Sequence, residues 1–168
     1  MPRSFDMATD YRTSVEQIHR AFCDEQYWLA RLADSGADEA RLDSLRVGGD
    51  GGVDVMTTQV LRSDRLPGVV GQFHRGDLSI TREESWSPLT GRRATAAVSG
   101  SIARAPVTLT GAAELSPADP QARLAFRATV EVRVPLVGSK LEKFIGAQLV
   151  ELMVAEQRFT TGWIAANH

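Results

Sequence analysis

One cysteine, two lysines and no long apolar run set the first limits on this chain of 168 residues. Cys23 has no second thiol to pair with inside the chain, so no intramolecular disulfide can support the fold. In "IHRAFCDEQYW" it reads as a helix thiol behaving as a small hydrophobe, not as a nucleophile. Lys140 and Lys143 are the only lysines, and Arg carries the remaining positive charge. GC-rich coding explains that bias, and the many alanines, without a special demand for guanidinium chemistry. The formal net charge is -2, which excludes a uniformly basic surface and gives no reason to expect nucleic acid as a partner. No stretch approaches the roughly 20 apolar residues of a membrane span. "MPRSFDMATDYRTS" has neither the apolar centre nor the cleavage site of a signal peptide. The expectations are no integral membrane association and a cytoplasmic location.

Signatures of chemistry are also scarce. The histidines are scattered and lack H-x-x-x-H spacing, so no metal site is expected. There is no G-x-S-x-G elbow, Walker loop or dinucleotide fingerprint. "GGDGG" is not followed by the helix that phosphate cradles use, and reads as turn chemistry. No cofactor is expected, no catalytic residue can be assigned, and whether the protein is an enzyme stays open.

What the sequence does contain is a clear order of elements. Phe5 and Met7 alternate with Ser4 and Asp6, as in a strand. Thr13 and Glu16 form a capping box for a first helix whose face carries Val15, Ile18, Ala21 and Phe22. Asp24 caps a second, "EQYWLARLA", which stops at Asp34-Ser35-Gly36. "ARLDSLRV" and "VDVMTTQVLR" form a hairpin, with Gly48 to Gly52 supplying positive-φ residues for the turn. Pro67 starts a short helical turn containing Val69, Val70 and Phe73. "LSITREESW", "RRATAAVSG", "PVTLTGAAELS" and "ARLAFRATVEVRV" then follow with short turns, as an antiparallel meander. Pro135 lies outside the ladder. Ser139 and Glu142 form a second capping box, and Leu141, Ile145, Leu149, Leu152, Phe159 and Trp163 give the last helix one broad apolar face, filled in at its middle by Ala155 or Glu156.

Strand, two short helices, six strands and a long helix is an order that resembles the START-like (SRPBCC) superfamily, which includes the birch-pollen-allergen fold and the polyketide cyclases. "VPLVGSKLEKFI" and "FCDEQYWLARLADSG" also resemble an uncharacterised actinobacterial family within it. The likeness covers essentially the whole chain and rests on structural signals, not on a catalytic motif. It implies an α+β helix-grip fold: one START-like domain over residues 1–168, with a curved seven-stranded antiparallel sheet wrapped around the C-terminal helix. It also implies an apolar cavity for a small hydrophobic or amphipathic ligand, lipid-like or polyketide-like. A cyclase, dehydratase or hydrolase acting on such a molecule is the alternative, and a non-catalytic homodimer is a third reading. A shared fold carries no reaction by itself.

Strand alternation nominates the lining. Ala94, Ala96, Gly111, Ala113 and Ala128 make the inner face small, which fits either close helix packing or room for a guest. In "LSITREESW", Arg82 and Glu84 share a face with Leu78, Ile80 and Trp86. They point inward as a mutually satisfied pair, or turn to solvent through a bulge or strand end, and the second is the simpler reading. Thr57 and Gln59 can supply neutral hydrogen bonds. With Trp86, Phe126, Phe144 and Leu152, these residues complete the candidate ligand site. His74 and Asp77 are the other acid/base candidates, although a surface loop suits His74 better. His19 is placed at the rim of its helix.

Overall fold

The computed structural model describes residues 2–71 and 74–167, and of Val69 the backbone alone. Phe73 and the Val69 side chain, both part of the sequence reading, lie outside what is described, as does His168. Strand β1 (Arg3–Tyr11) is followed by helices α1 (Val15–Phe22) and α2 (Glu25–Asp34). Six strands follow: β2 (Glu39–Val47), β3 (Val53–Leu61), β4 (Leu78–Trp86), β5 (Ala94–Ile102), β6 (Val107–Pro117) and β7 (Ala122–Val132). The short α3 (Gly68–Gly71) sits between β3 and β4, and α4 (Gly138–Asn167) ends the chain. The strands form one antiparallel sheet in the order β1-β7-β6-β5-β4-β3-β2. This is the helix-grip α+β fold that the order of elements implied.

Local chemistry explains the boundaries, with two shifts from expectation. The first capping box sits one residue later. Ser14 accepts the Gln17 N–H at 3.1 Å, and Gln17 answers by accepting the Ser14 N–H at 3.0 Å. Glu16 is left free to meet Arg92 across the surface, at 3.0 Å. Asp24 caps α2 as expected, through the Gln26 N–H. The second box does not form. Helix α4 begins at Gly138, whose N–H bonds the Val134 carbonyl at 3.0 Å. Ser139 is therefore inside the first turn and accepts from Arg3 Nη2 at 2.8 Å. Glu142 is buried and reaches back to the Val132 N–H at 2.9 Å. It ties the helix start to the end of β7.

Within the Gly48 to Gly52 turn, Gly51 is the residue with positive φ, at 95°. Asp50 accepts the Gly52 N–H and closes the turn. Leu136, in the link from β7 to α4, has φ 72°. That conformation disfavours a branched side chain by about 1–2 kcal/mol.

Two separate apolar clusters fill the space between sheet and helices. One joins α1, α2 and the end of α4 to Val53, Val55, Trp86, Ala96 and Leu115. Its aromatic centre packs Phe22 on Trp86 at 5.0 Å and Tyr27 on Trp163 at 5.4 Å. The other joins the start of α4, through Leu141, to Val107, Val130 and Val132. Small residues serve close packing at two places. A Cβ on Gly111 would collide with the Phe126 ring, and one on Gly146 with the Phe5 ring. Part of the space that small side chains suggested is thus already taken by aromatic rings.

Candidate functional site

The continuous β3–β4 register sets Thr57 opposite Arg82 and Gln59 opposite Ile80, with no bulge in β4. Alternation then sends Arg82 and Glu84 to the inner face. The solvent-facing alternative for this pair is overturned: Glu84 is 7% exposed and Arg82 retains a quarter of its side-chain surface. The pair closes internally, Arg82 Nη2 to Glu84 Oε2 at 2.8 Å. It also extends outward to two residues that strand alternation could not supply. Glu156 on α4 takes both Arg82 amino groups, at 2.8 and 3.1 Å. Arg31 on α2 meets Glu156 at 2.6 Å.

Neighbours complete the network. Trp86 Nε1–H donates to Glu84 at 3.0 Å. Arg31 donates to the Tyr27 hydroxyl at 3.2 Å, and that hydroxyl shares a 2.7 Å hydrogen bond with Thr160. The Arg31 guanidinium also lies 4.7 Å from the Trp28 ring centre, a cation–π arrangement. Two guanidiniums and two carboxylates thus balance in charge and link α2, β4 and α4. Burial works to raise the Glu156 carboxyl, but Arg31 and Arg82 outweigh it and hold it down at about 2. Burial likewise works against the Arg82 and Arg31 charges, and Glu156 and Glu84 overcome it, so both guanidiniums stay firmly protonated.

Beside the network lies a cleft of about 80 Å³, lined by Trp28, Arg31, Leu32, Thr57, Gln59, Arg82, Leu152, Glu156 and Phe159 among others. The structure therefore brings Thr57, Gln59, Arg82 and Leu152 to one place, with Glu84 directly behind Arg82. Trp86 and Phe126 sit in the aromatic cluster and over Gly111, away from the cleft. Phe144 is half-buried near the start of α4, also away from it. Arg31 and Glu156 are the functional candidates that sequence reading did not single out. The signal for Glu156 was present, as a carboxylate in the middle of an apolar stripe. A larger, shallow concavity of about 850 Å³ lies chiefly on the opposite face of the sheet, rimmed by the ion-paired Asp6 and Arg127.

The acid/base candidates do not converge. His74 is buried, not in an exposed loop, and its Nε2 lies 3.0 Å from the backbone carbonyl of Asp77. The Asp77 carboxylate instead accepts the Ser63 N–H at 2.8 Å. His19 is also buried, against the Ser87 carbonyl at 2.9 Å. Both rings are held against backbone oxygens. Cys23 is half-buried, and burial raises its thiol.

Helix α4 explains why a cleft exists. It is anchored at its start by Leu141, Glu142 and Gly146 and near its end by Thr160 and Ile164, all buried. No residue from 147 to 159 is buried, and Leu152 is 40% exposed. On the inner face of the sheet, where Arg82 reaches Glu156 of α4, Ile80, Arg82, Val98, Gly100 and Leu109 are only half-buried. Among the described residues, no helix is long and apolar enough to cross a membrane.

The model of a family described as "Protein of unknown function (DUF2505)" matches residues 6–164. The chain belongs to this family. An uncharacterized protein of Mycobacterium tuberculosis (strain ATCC 25618 / H37Rv) is 53% identical over 173 residues, covering 99% of each chain. Among solved structures, a Thermus thermophilus protein, TTHA0849, is similar with a TM-score of 0.61 at 14% identity, over 100% of both chains. A START superfamily protein from Mycobacterium smegmatis gives 0.50 at 14% identity, over 99% of both. At such identities the likeness shows the fold alone: this chain has the START-like architecture.

Proposed function

We propose that this DUF2505 protein, as one START-like domain, binds a small hydrophobic or amphipathic molecule between the sheet and α4. The observation that carries the reading is the unpacked middle of α4 over a half-buried inner face. Ordinary interiors are packed to crystal density, and a long helix crossing a sheet would normally bury its central turns. Here the two apolar clusters stop short of each other, and Ile80 and Met153 join neither. A drug-sized guest needs roughly 300–1,000 Å³, far more than the cleft offers as it stands. The wall that can yield is the stretch of α4 ahead of the Glu156 tie, around Leu152 and Met153, which gives up little packing when it moves.

Apolar contact supplies the affinity, at about 25 cal/mol per Å² before the costs of binding. Thr57, Gln59 and the exposed edge of Arg82 orient the polar end of the guest. Because the charges beside the cleft already balance, the fitting polar group is a neutral hydroxyl, carbonyl or amide. With His74 and His19 both turned to backbone carbonyls, binding is favoured over catalysis.

The test is a titration with N-phenyl-1-naphthylamine, a neutral fluorescent apolar probe, beside native mass spectrometry of protein purified without detergent. Gly100 is the register partner of Arg82 on β4, and a Cβ there meets only ordinary contacts, the nearest Leu109 at 3.6 Å. Gly100→Phe should therefore fill the inner face beside Arg82, against Leu109 at the margin of the second cluster, and lower probe affinity at least tenfold. A wild-type protein that takes up no probe, or a variant that binds it equally well, refutes the reading.

A further inference from the structure

Leu136 is fully exposed, at 104% of its reference area, on a backbone whose φ is 72°. Gly or Asn is the residue that such a backbone favours. Neither packing nor backbone preference accounts for an apolar branched side chain there. Its surroundings are basic. Arg133 is exposed and its N–H bonds the Pro106 carbonyl at 2.9 Å, which brings the β5–β6 turn, with exposed Arg104, against the same link. Lys140 and Lys143 follow on the first turns of α4, both exposed. Among the described residues, neither lysine nor Arg104 takes part in an ion pair, whereas Arg133 meets Glu131 at 3.4 Å. The lysines do not serve the helix, because positive charge near a helix start is opposed by its dipole. This cluster stands out in a chain whose net charge is -2.

The outer face of α4 continues the pattern. Lys140, Lys143, Ala147, Val150, Val154 and Arg158 recur at three- and four-residue steps and are all exposed. The solvent face of a surface helix is ordinarily polar. This one is basic at both ends, and in its middle Val150 is 50% and Val154 40% exposed, beside the single exposed carboxylate of Glu151.

We propose that Leu136, the flanking Lys140, Lys143 and Arg104, and the outer face of α4 dock on an anionic lipid bilayer. The basic groups meet the headgroups, while Leu136, Val150 and Val154 enter the boundary with the acyl chains. The same arrangement is poorly matched to an acidic protein or a nucleic acid, for which the exposed leucine and valines have no use. The proposal is independent of the ligand reading, because none of these residues lines the cleft.

The experiment is co-sedimentation of the full chain with vesicles of phosphatidylcholine alone, or with about a third phosphatidylglycerol, at low and high salt. The expected result is binding to the anionic vesicles only, weakened by salt. K140Q/K143Q should reduce partitioning roughly 25-fold, at about fivefold per removed charge. Leu136→Asn suits the backbone better than leucine, so the fold is kept, and it should reduce partitioning by about tenfold. Thermal melts of the variants serve as the control. No binding to either vesicle, or wild-type binding by both variants, overturns the proposal. Equal affinity for a DNA duplex that Leu136→Asn leaves unchanged overturns it in favour of simple polyanion attraction. So does a wild-type dimer in sedimentation velocity that V150N/V154N makes monomeric, with no vesicle binding.

Discussion

The ends of α4 and its middle are built from similar residues but do different things. At the start, Leu141 is 1% exposed and Gly146 lets the helix press onto Phe5; near the end, Thr160 and Ile164 are buried among aromatic rings. Between them Leu149, Leu152 and Met153 continue the same apolar stripe and remain partly or largely exposed. The helix is thus a beam resting on two supports. Its centre is tied down chiefly through Glu156, which answers two arginines from two other elements. A hydrophobic stripe shows which side of a helix faces inward, and the opposing surface decides how much of that side is covered.

Substitutions along α4 should break this contrast or sharpen it. The largest effect is expected at the tie. Glu156→Ala leaves two partly buried guanidiniums with Glu84 alone, and should cost about 3–5 kcal/mol in chemical denaturation. A loss below about 1 kcal/mol would mean the middle of the helix does not depend on the network. At the first support, Leu141→Ala should cost about 3 kcal/mol through transfer and cavity terms. Acid should loosen the tie by a smaller amount. Glu156 titrates at about 2 in the fold against an ordinary 4.5. Its contribution is therefore complete above about pH 4.5 and is lost as pH falls toward 2. With a fifth of the side chain exposed, that contribution is about 2 kcal/mol. Denaturation midpoints compared between pH 6 and pH 2.5 should show the slope, and Glu156→Gln should remove this part of it. The smallest effect belongs to the span: Leu152→Ala should change stability by less than about 0.5 kcal/mol. A loss near that of Leu141→Ala would show that the span is packed after all.

Much of the fold was legible because it depends on short-range chemistry. Alternation in "LSITREESW" correctly put Arg82 and Glu84 on the face of Ile80 and Trp86. Asp24, Pro135 and the glycine turn marked ends where they fall. The capping boxes were harder, because Thr13 and Ser14 are adjacent candidates and one residue decides which hydroxyl meets the free N–H groups. Ser139 and Glu142 carried a capping-box spacing but bond to Arg3 and Val132, partners outside the helix. The site was half legible. Thr57, Gln59 and Arg82 follow from strand parity. Arg31 and Glu156 join them only through the packing of α2 and α4.

The sequence by itself determined the order of elements, the inner face of each strand and the inward stripe of the last helix. These depend on periods of two and 3.6 residues that any local window contains. Only the tertiary structure decided that four charges on three elements would cancel, that Phe126 and Phe5 would fill the space beside Gly111 and Gly146, and that the middle of α4 would stay uncovered. Those outcomes depend on distances between segments remote in the chain, and no local periodicity encodes them.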